Sequence, residues 1–347
     1  MNFKEFLKKK DIEFSFRRYF IDALGAMAQG LFASLLIGTI MKTLGTQLHI
    51  PVLETVGGYA QAAQGPAMAV AIGFALKAPA LVLFSLTAVG AAACELGGAG
   101  GPLAVLLITI VSAEFGKLVS KETKLDIIVT PFVTILIGAV LSILCAPYIG
   151  AGASAVGKAI MWATELRPFA MGIIVSVIIG IALTLPISSA AICAALSLTG
   201  LAGGAALAGC CAQMVGFAVM SFKENSWGGL FAQGIGTSML QMGNIVKNPK
   251  IWIPPIVTSA ITGPVTTCLF KMQMNGAAIS SGMGTCGLVG QIGVYTGWVA
   301  DGISIGAFEW ISLLCVSFVL PAVITPIIAM PLRKIGWIKK DDLKLDL

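Results

Sequence analysis

Charge is the first thing this chain lacks. Asp, Glu, Lys and Arg make up only 11% of its 347 residues, against about 25% in an average globular domain. With 57% hydrophobic residues and a mean hydropathy of +0.94, the composition excludes a soluble domain and makes the chain an integral membrane protein. Histidine is nearly missing too. The single one, His49, lies near the exit of the first apolar run, and no Ser/His/Asp or Cys/His constellation is apparent. The 8 cysteines (Cys94, Cys145, Cys193, Cys210, Cys211, Cys268, Cys286, Cys315) are scattered through apolar sequence without Cys-x-x-Cys spacing, so they read as small packing residues and not as metal ligands. A Gly-x-x-x-x-Gly-Lys loop and an acid pair at metal-binding spacing are also lacking. No catalytic residue, metal or cofactor is expected.

The charges that are present sit at the ends. Lys4, Lys8, Lys9, Lys10, Arg17 and Arg18 precede the first apolar run, and Arg333, Lys334, Lys339, Lys340 and Lys344 follow the last. The positive-inside rule then places both termini in the cytoplasm, with an even number of crossings. The net charge of +6 reports topology and anionic headgroups, not nucleic acid. The charged N-terminus is too long for a cleavable signal peptide.

Apolar runs start at Phe20, Val52, Pro79, Pro102, Ile127, Pro168, Ser188, Ile251 and Ile303. With about 20 residues needed per crossing and both ends inside, the spacing predicts an all-α polytopic protein of about ten transmembrane helices, one of them hidden in a polar stretch or in the long run from Ser188 to Met220. Gly150 to Glu165 is less apolar, and Val156, Ile160 and Trp162 against Lys158 and Glu165 suggest an interfacial amphipathic helix. The expected organisation is a basic N-terminus (1–19), a first helical bundle (20–149), the amphipathic helix (150–166), a solute-binding bundle (167–332) and a cytoplasmic tail (333–347). Gly203, Gly204, Ala205, Ala206, Ala208 and Gly209 predict close helix packing.

Two stretches, Ser221 to Pro255 and Lys271 to Trp298, break this pattern with glycines, amides and hydroxyls. Irregular backbone at membrane depth is tolerated only where it is buried in protein or lines a cavity, so both read as re-entrant hairpins around a solute. In the first, Glu224 and Asn225 offer a carboxylate and an amide beside Trp227, a set suited to a polyhydroxyl ligand. The alternative pairs Glu224 with Lys223 at the membrane surface and leaves Trp227 to the interfacial belt. Gln233, Gln241 and Asn244 add amides that either bind solute or join helices. In the second, Gln273 and Asn275 precede Ser281 and Thr285, and the Gly/Ser run leads into a helix bearing Gln291, Tyr295 and Trp298. Free N–H groups at such a helix start would favour an anionic or polyhydroxyl solute.

The segments Gly100 to Ser142 and Gly234 to Pro264 resemble the membrane subunit IIC of bacterial phosphotransferase-system sugar transporters, of the glucose superfamily. In those proteins a Gly-Ile-Asn/Thr-Glu-Pro loop is followed by Asn-Pro and a proline-containing span. Here Gly234 and Ile235 open the loop and Asn248 and Pro249 keep the second feature. The motifs KENSWGG (Lys223 to Gly229), MLQMGN (Met239 to Asn244) and NGAAISSGMGTCGLVGQIG (Asn275 to Gly293) are similar to the branch that includes the perfringolysin regulatory protein, over nearly the whole chain. The resemblance implies a homodimer in the bacterial cytoplasmic membrane that moves a sugar or similar polar solute by alternating access. Phosphoryl groups would come from separate IIA and IIB proteins. The sequence departs from the pattern where Thr237 stands in place of the sugar-gripping acid and Ser238 in place of the proline; a neutral hydroxyl makes weaker hydrogen bonds than a carboxylate. A membrane-embedded solute sensor without phosphotransfer is therefore the alternative, and a channel ranks below both.

Other acids admit two readings. Glu114, inside an apolar run, is either functional or paired with Lys117 or Lys121. Glu309 and Asp301 are partners for Arg167 or coupling groups, while Glu54 and Glu95 lie at outer ends.

Overall fold

Backbone groups at membrane depth have no water to bond, so an apolar chain must satisfy them within helices. The computed structural model describes residues 3–164 and 166–345, and its elements there are α-helical, 3-10 or π-helical, with an isolated antiparallel bridge between Gly200 and Met274. Among the described residues, 6 segments are long and apolar enough to cross a membrane: Arg18–Leu48, Ala80–Val119, Asp126–Gly152, Gly200–Met220, Pro249–Phe270 and Ala307–Lys334. Gln64–Ala75 and Pro168–Thr184 are shorter apolar helices. The chain divides into two compact units, Met1–Gly152 and Ala153–Leu347.

In the first unit, the run from Val52 to Leu76 is two helices, Pro51–Ala62 and Gln64–Ala75, meeting at Ala63 beside the polar Gln61. Helices approach closely at glycines: a Cβ on Gly65 would lie 2.4 Å from Gly90 O, and one on Gly30 would lie 2.7 Å from Ala67 O. A buried charge cluster pins the N-terminal segment. Lys117, only 1% exposed, stands 3.0 Å from Glu114 and donates to the carbonyls of Asp11 and Leu76 at 2.6 and 3.1 Å. Tyr19 donates to Glu114 at 3.1 Å, and Arg18 bridges Asp11 at 2.8 Å and Leu76 O at 2.6 Å. The Arg18 guanidinium holds the Asp11 carboxyl below the usual carboxylate range. Of the two readings of Glu114, the structure bears the paired one.

The segment 150–166, expected as an interfacial amphipathic helix, is helical as far as Thr164. One helix runs from Asp126 to Thr164, so residues 150–164 continue it without interruption. Ile160 is buried and Trp162 exposed, while the side chains of Val156, Lys158 and Glu165 lie outside the described residues.

The second unit is organised around the Gly200–Met220 helix, which packs against Pro168–Thr184 and Ile253–Pro264. A Cβ on Gly209 would sit 1.9 Å from Ser176 O, and one on Gly263 would sit 2.0 Å from Gly172 O. The small residues thus act as backbone contacts, as the sequence suggests. Ser176 donates across the same seam to Ser259 O at 2.7 Å. Cys210 and Cys211 are fully buried in this packing. The long run from Ser188 to Met220 is not one helix: Ser189–Ala195 ends, Ser197 and Gly200 turn with φ of 49° and 63°, and Gly200–Met220 begins.

Candidate solute site

The first irregular stretch begins where Gly200–Met220 ends. Phe222–Phe231 is helical except at Ser226, whose φ of 53° and ψ of -154° lie in a region ordinarily left to glycine. Glu224 and Trp227 lie on either side of that turn. Glu224 accepts from Arg333 Nη1 at 2.7 Å with a side chain 5% exposed, and its second oxygen, Oε2, is buried without a hydrogen-bond partner. Neighbouring Lys223 does not fill this role; Arg333 comes from the end of the last apolar helix and also donates to Met220 O at 2.9 Å. Trp227 is 64% exposed and belongs to an aromatic cluster, edge-on to Phe222 at 5.3 Å and stacked with Phe231 at 6.2 Å.

After Trp227 the chain winds through a π-helical turn, Ala232–Gly236, and a 3-10 turn, Ser238–Gln241, into the short helix Met242–Lys247. This irregular path aligns side-chain amides in a buried line. Gln233 Nε2 donates to Ser221 Oγ and Gly229 O, each at 2.9 Å. Gln241 Nε2 donates to Gln233 Oε1 at 2.8 Å, and Asn244 Nδ2 to Gln241 Oε1 at 2.9 Å. The line ends on the C-terminal segment. Asn225 Nδ2 and Gln241 Nε2 both donate to Leu343 O, at 2.8 and 3.0 Å, and Asn244 Nδ2 donates to Lys344 O at 2.8 Å. The structure therefore brings Asn225, Gln233, Gln241 and Asn244 into one network, with Glu224 next along the chain.

Thr237 and Ser238 serve different neighbours. Thr237 Oγ1 accepts from Met239 N at 3.1 Å and so caps the 3-10 turn. Ser238 Oγ lies 2.7 Å from Thr184 Oγ1 in a polar group that sequence reasoning missed. Its centre is Gln213, fully buried, whose Oε1 accepts from the Trp252 indole at 2.8 Å and from Thr184 at 3.4 Å. A lone amide within the small and apolar run Gly200–Met220 was the available signal.

The second stretch meets the first where Thr285 Oγ1 donates to Gly234 O. Its backbone turns through Gly284 and Gly287, with φ of 56° and 51°. A Cβ at Gly284 would lie 2.8 Å from that of Cys210, so the glycine provides both the turn and the close approach. Ser281 is buried and donates to Ala278 O at 2.7 Å. Gln291 donates to Ser317 Oγ at 2.9 Å and leaves Oε1 buried without a partner. Gln273 and Asn275 belong to another cluster: Asn275 donates to Gln273 at 3.1 Å and to Asp301 at 2.6 Å, and accepts from Gly200 N. Asp301 is thus engaged by Asn275, and Glu309 accepts from Gly306 N at 2.8 Å to cap its own helix. Tyr295 and Trp298 pack on Trp310 at 5.8 and 6.3 Å.

Among the described residues no group of His, Cys, Asp and Glu is placed to hold a metal ion. The arrangement can do hydrogen-bond chemistry: a carboxylate with a free oxygen and a connected line of amides match neutral, hydroxyl-rich ligands. The profile of the family described as "Phosphotransferase system, EIIC" matches residues 21–345. No curated protein and no solved structure matches the chain.

Proposed function

Because the chain belongs to the phosphotransferase-system EIIC family, and is thereby a membrane transport component of that system, we propose that its second unit binds a sugar or similar polyhydroxyl solute and carries it across by alternating access. Glu224 and Asn225 are the principal groups, Gln233, Gln241 and Asn244 extend the polar surface, and separate IIA and IIB proteins supply phosphoryl groups. The observation that carries the reading is the buried, unpartnered Oε2 of Glu224. Leaving such an oxygen without a donor is costly, and a solute hydroxyl is the donor it lacks. Arg333 engages the other oxygen of the same carboxyl, and a carboxylate oxygen accepts stronger hydrogen bonds than a neutral hydroxyl does. In this reading Glu224 takes the part that Thr237, in the position of the family's acid, cannot take.

Thr237 also favours a second reading, a sensor that binds solute without passing it to phosphotransfer. The two part at flux: a transporter moves radiolabelled glucose, fructose or mannitol into liposomes, whereas a sensor binds a probe and moves none.

The site itself is tested by Glu224→Gln, with equilibrium binding of the same three probes. The expected loss is about 1.5–3 kcal/mol, or roughly 10- to 150-fold in affinity, the range for hydrogen bonds to charged groups. Unchanged affinity removes Glu224 from the site.

A further inference from the structure

The amides assigned above to the solute are not open. The chain past the last apolar helix folds back on them through a turn in which Asp342 Oδ2 accepts from Lys339 N at 2.7 Å and from Asn248 Nδ2 at 2.8 Å. Asn248 Nδ2 also reaches Trp337 O at 2.8 Å, so the segment is held at its start as well. Apolar anchors flank the polar contacts: Ile338 is 2% exposed and Leu343 fully buried. From Leu343 onward the main chain takes up the amides as a ligand would. Leu343 O receives Asn225 and Gln241, Lys344 O receives Asn244, and Leu345 N donates back to Asn225 Oδ1 at 2.8 Å. Asn225 is satisfied through both its nitrogen and its oxygen by residues 118 and 120 positions away.

We infer that residues 337–345 are an autoinhibitory plug, which occupies the hydrogen-bonding groups of the solute site with peptide groups and must leave before solute can enter. The inference rests on the reading of Asn225, Gln241 and Asn244 as solute ligands. A peptide carbonyl and a sugar hydroxyl both accept from a carboxamide N–H, and the peptide N–H and the hydroxyl both donate to its oxygen; tail and solute compete for the same atoms. The segment has the character of a releasable element. It is short, follows a helix end, and carries Lys339, Lys340, Asp341, Asp342 and Lys344, side chains at ease in water. Arg333, which pairs with Glu224, stands at its root, so the tail and the carboxylate are anchored at the end of the same helix.

The test compares the full chain with a chain ending at Gly336 and with a full-length Leu343→Asp variant, which keeps the tail but removes its buried anchor. Each carries Asn244→Cys, and modification by a water-soluble thiol reagent is mapped to position 244 by mass spectrometry. Affinity for radiolabelled glucose, fructose and mannitol is measured on the same three forms without the reporter. Labelling at 244 is expected to accelerate, and probe affinity to rise, about tenfold or more in both tail variants, because apparent affinity scales with the fraction of open sites. Equal labelling of all three forms overturns the plug whether or not the amides bind solute. Faster labelling with a probe bound equally by all three overturns it as a gate. Faster labelling with no probe bound by any form upholds closure of the amides by the tail, and the failure then belongs to the solute reading.

Discussion

Glu114 and Glu224 are both acids in apolar surroundings, and their partners give them opposite meanings. Glu114 shares its site with Lys117 and Tyr19, and Lys117 also ties down the carbonyls of Asp11 and Leu76. Removing one member of such a pair strands the other. Lys117→Met is therefore expected to destabilise the protein by about 3–5 kcal/mol, and adding Glu114→Gln to recover most of that loss. Thermal unfolding in detergent of the single and double variants measures both; equal stability of the two would show that Glu114 is not stranded. This pairing was legible in the sequence, since residues three apart share a helix face. That of Glu224 was not: the sequence offered adjacent Lys223, while the partner is Arg333, 109 positions away.

At the scale of helices, hydropathy marked the apolar runs but not their interruptions. The run from Ser188 to Met220 stays apolar across its break because Leu196 and Leu198 flank the turn, and only Ser197, Thr199 and Gly200 mark it. The glycine seam was easier to read because close approach demands small residues whatever the register. Gly209 meets Ser176 O so closely that a Cβ would sit 1.9 Å away. Gly209→Ala must push the Gly200–Met220 and Pro168–Thr184 helices apart, at an expected cost of about 1–3 kcal/mol or more. Gly25→Ala, where a Cβ meets nothing within 4 Å, is the control and should remain within about 0.5 kcal/mol of the parent. Unfolding temperatures of the two variants in the same detergent give the comparison, and an unaffected Gly209→Ala would mean that the seam is loose.

At the scale of the whole molecule, the family profile spans both units, and the two irregular stretches that stood out in the sequence do meet, through Thr285 and Gly234. Which of their polar residues act together depended on the path of the backbone. The π-helical and 3-10 turns that line up Gln233, Gln241 and Asn244 have no sequence period, and a charged tail reads as a membrane-surface flank, although its main chain bonds Asn225, Gln241 and Asn244. Transport activity draws on all of this at once. In the proposed function the second unit binds the solute through Glu224 and the amides, and separate IIA and IIB proteins supply the phosphoryl group. In liposomes holding the protein, radiolabelled probe is expected to accumulate as sugar phosphate when phosphoenolpyruvate and the IIA and IIB partners are supplied, and only to equilibrate when they are withheld. Glu224→Gln should slow both processes, because each begins with the same bound solute. Accumulation at an unchanged rate without the partners would instead place the driving force in an ion gradient, and binding with no entry under either condition would make the protein a sensor.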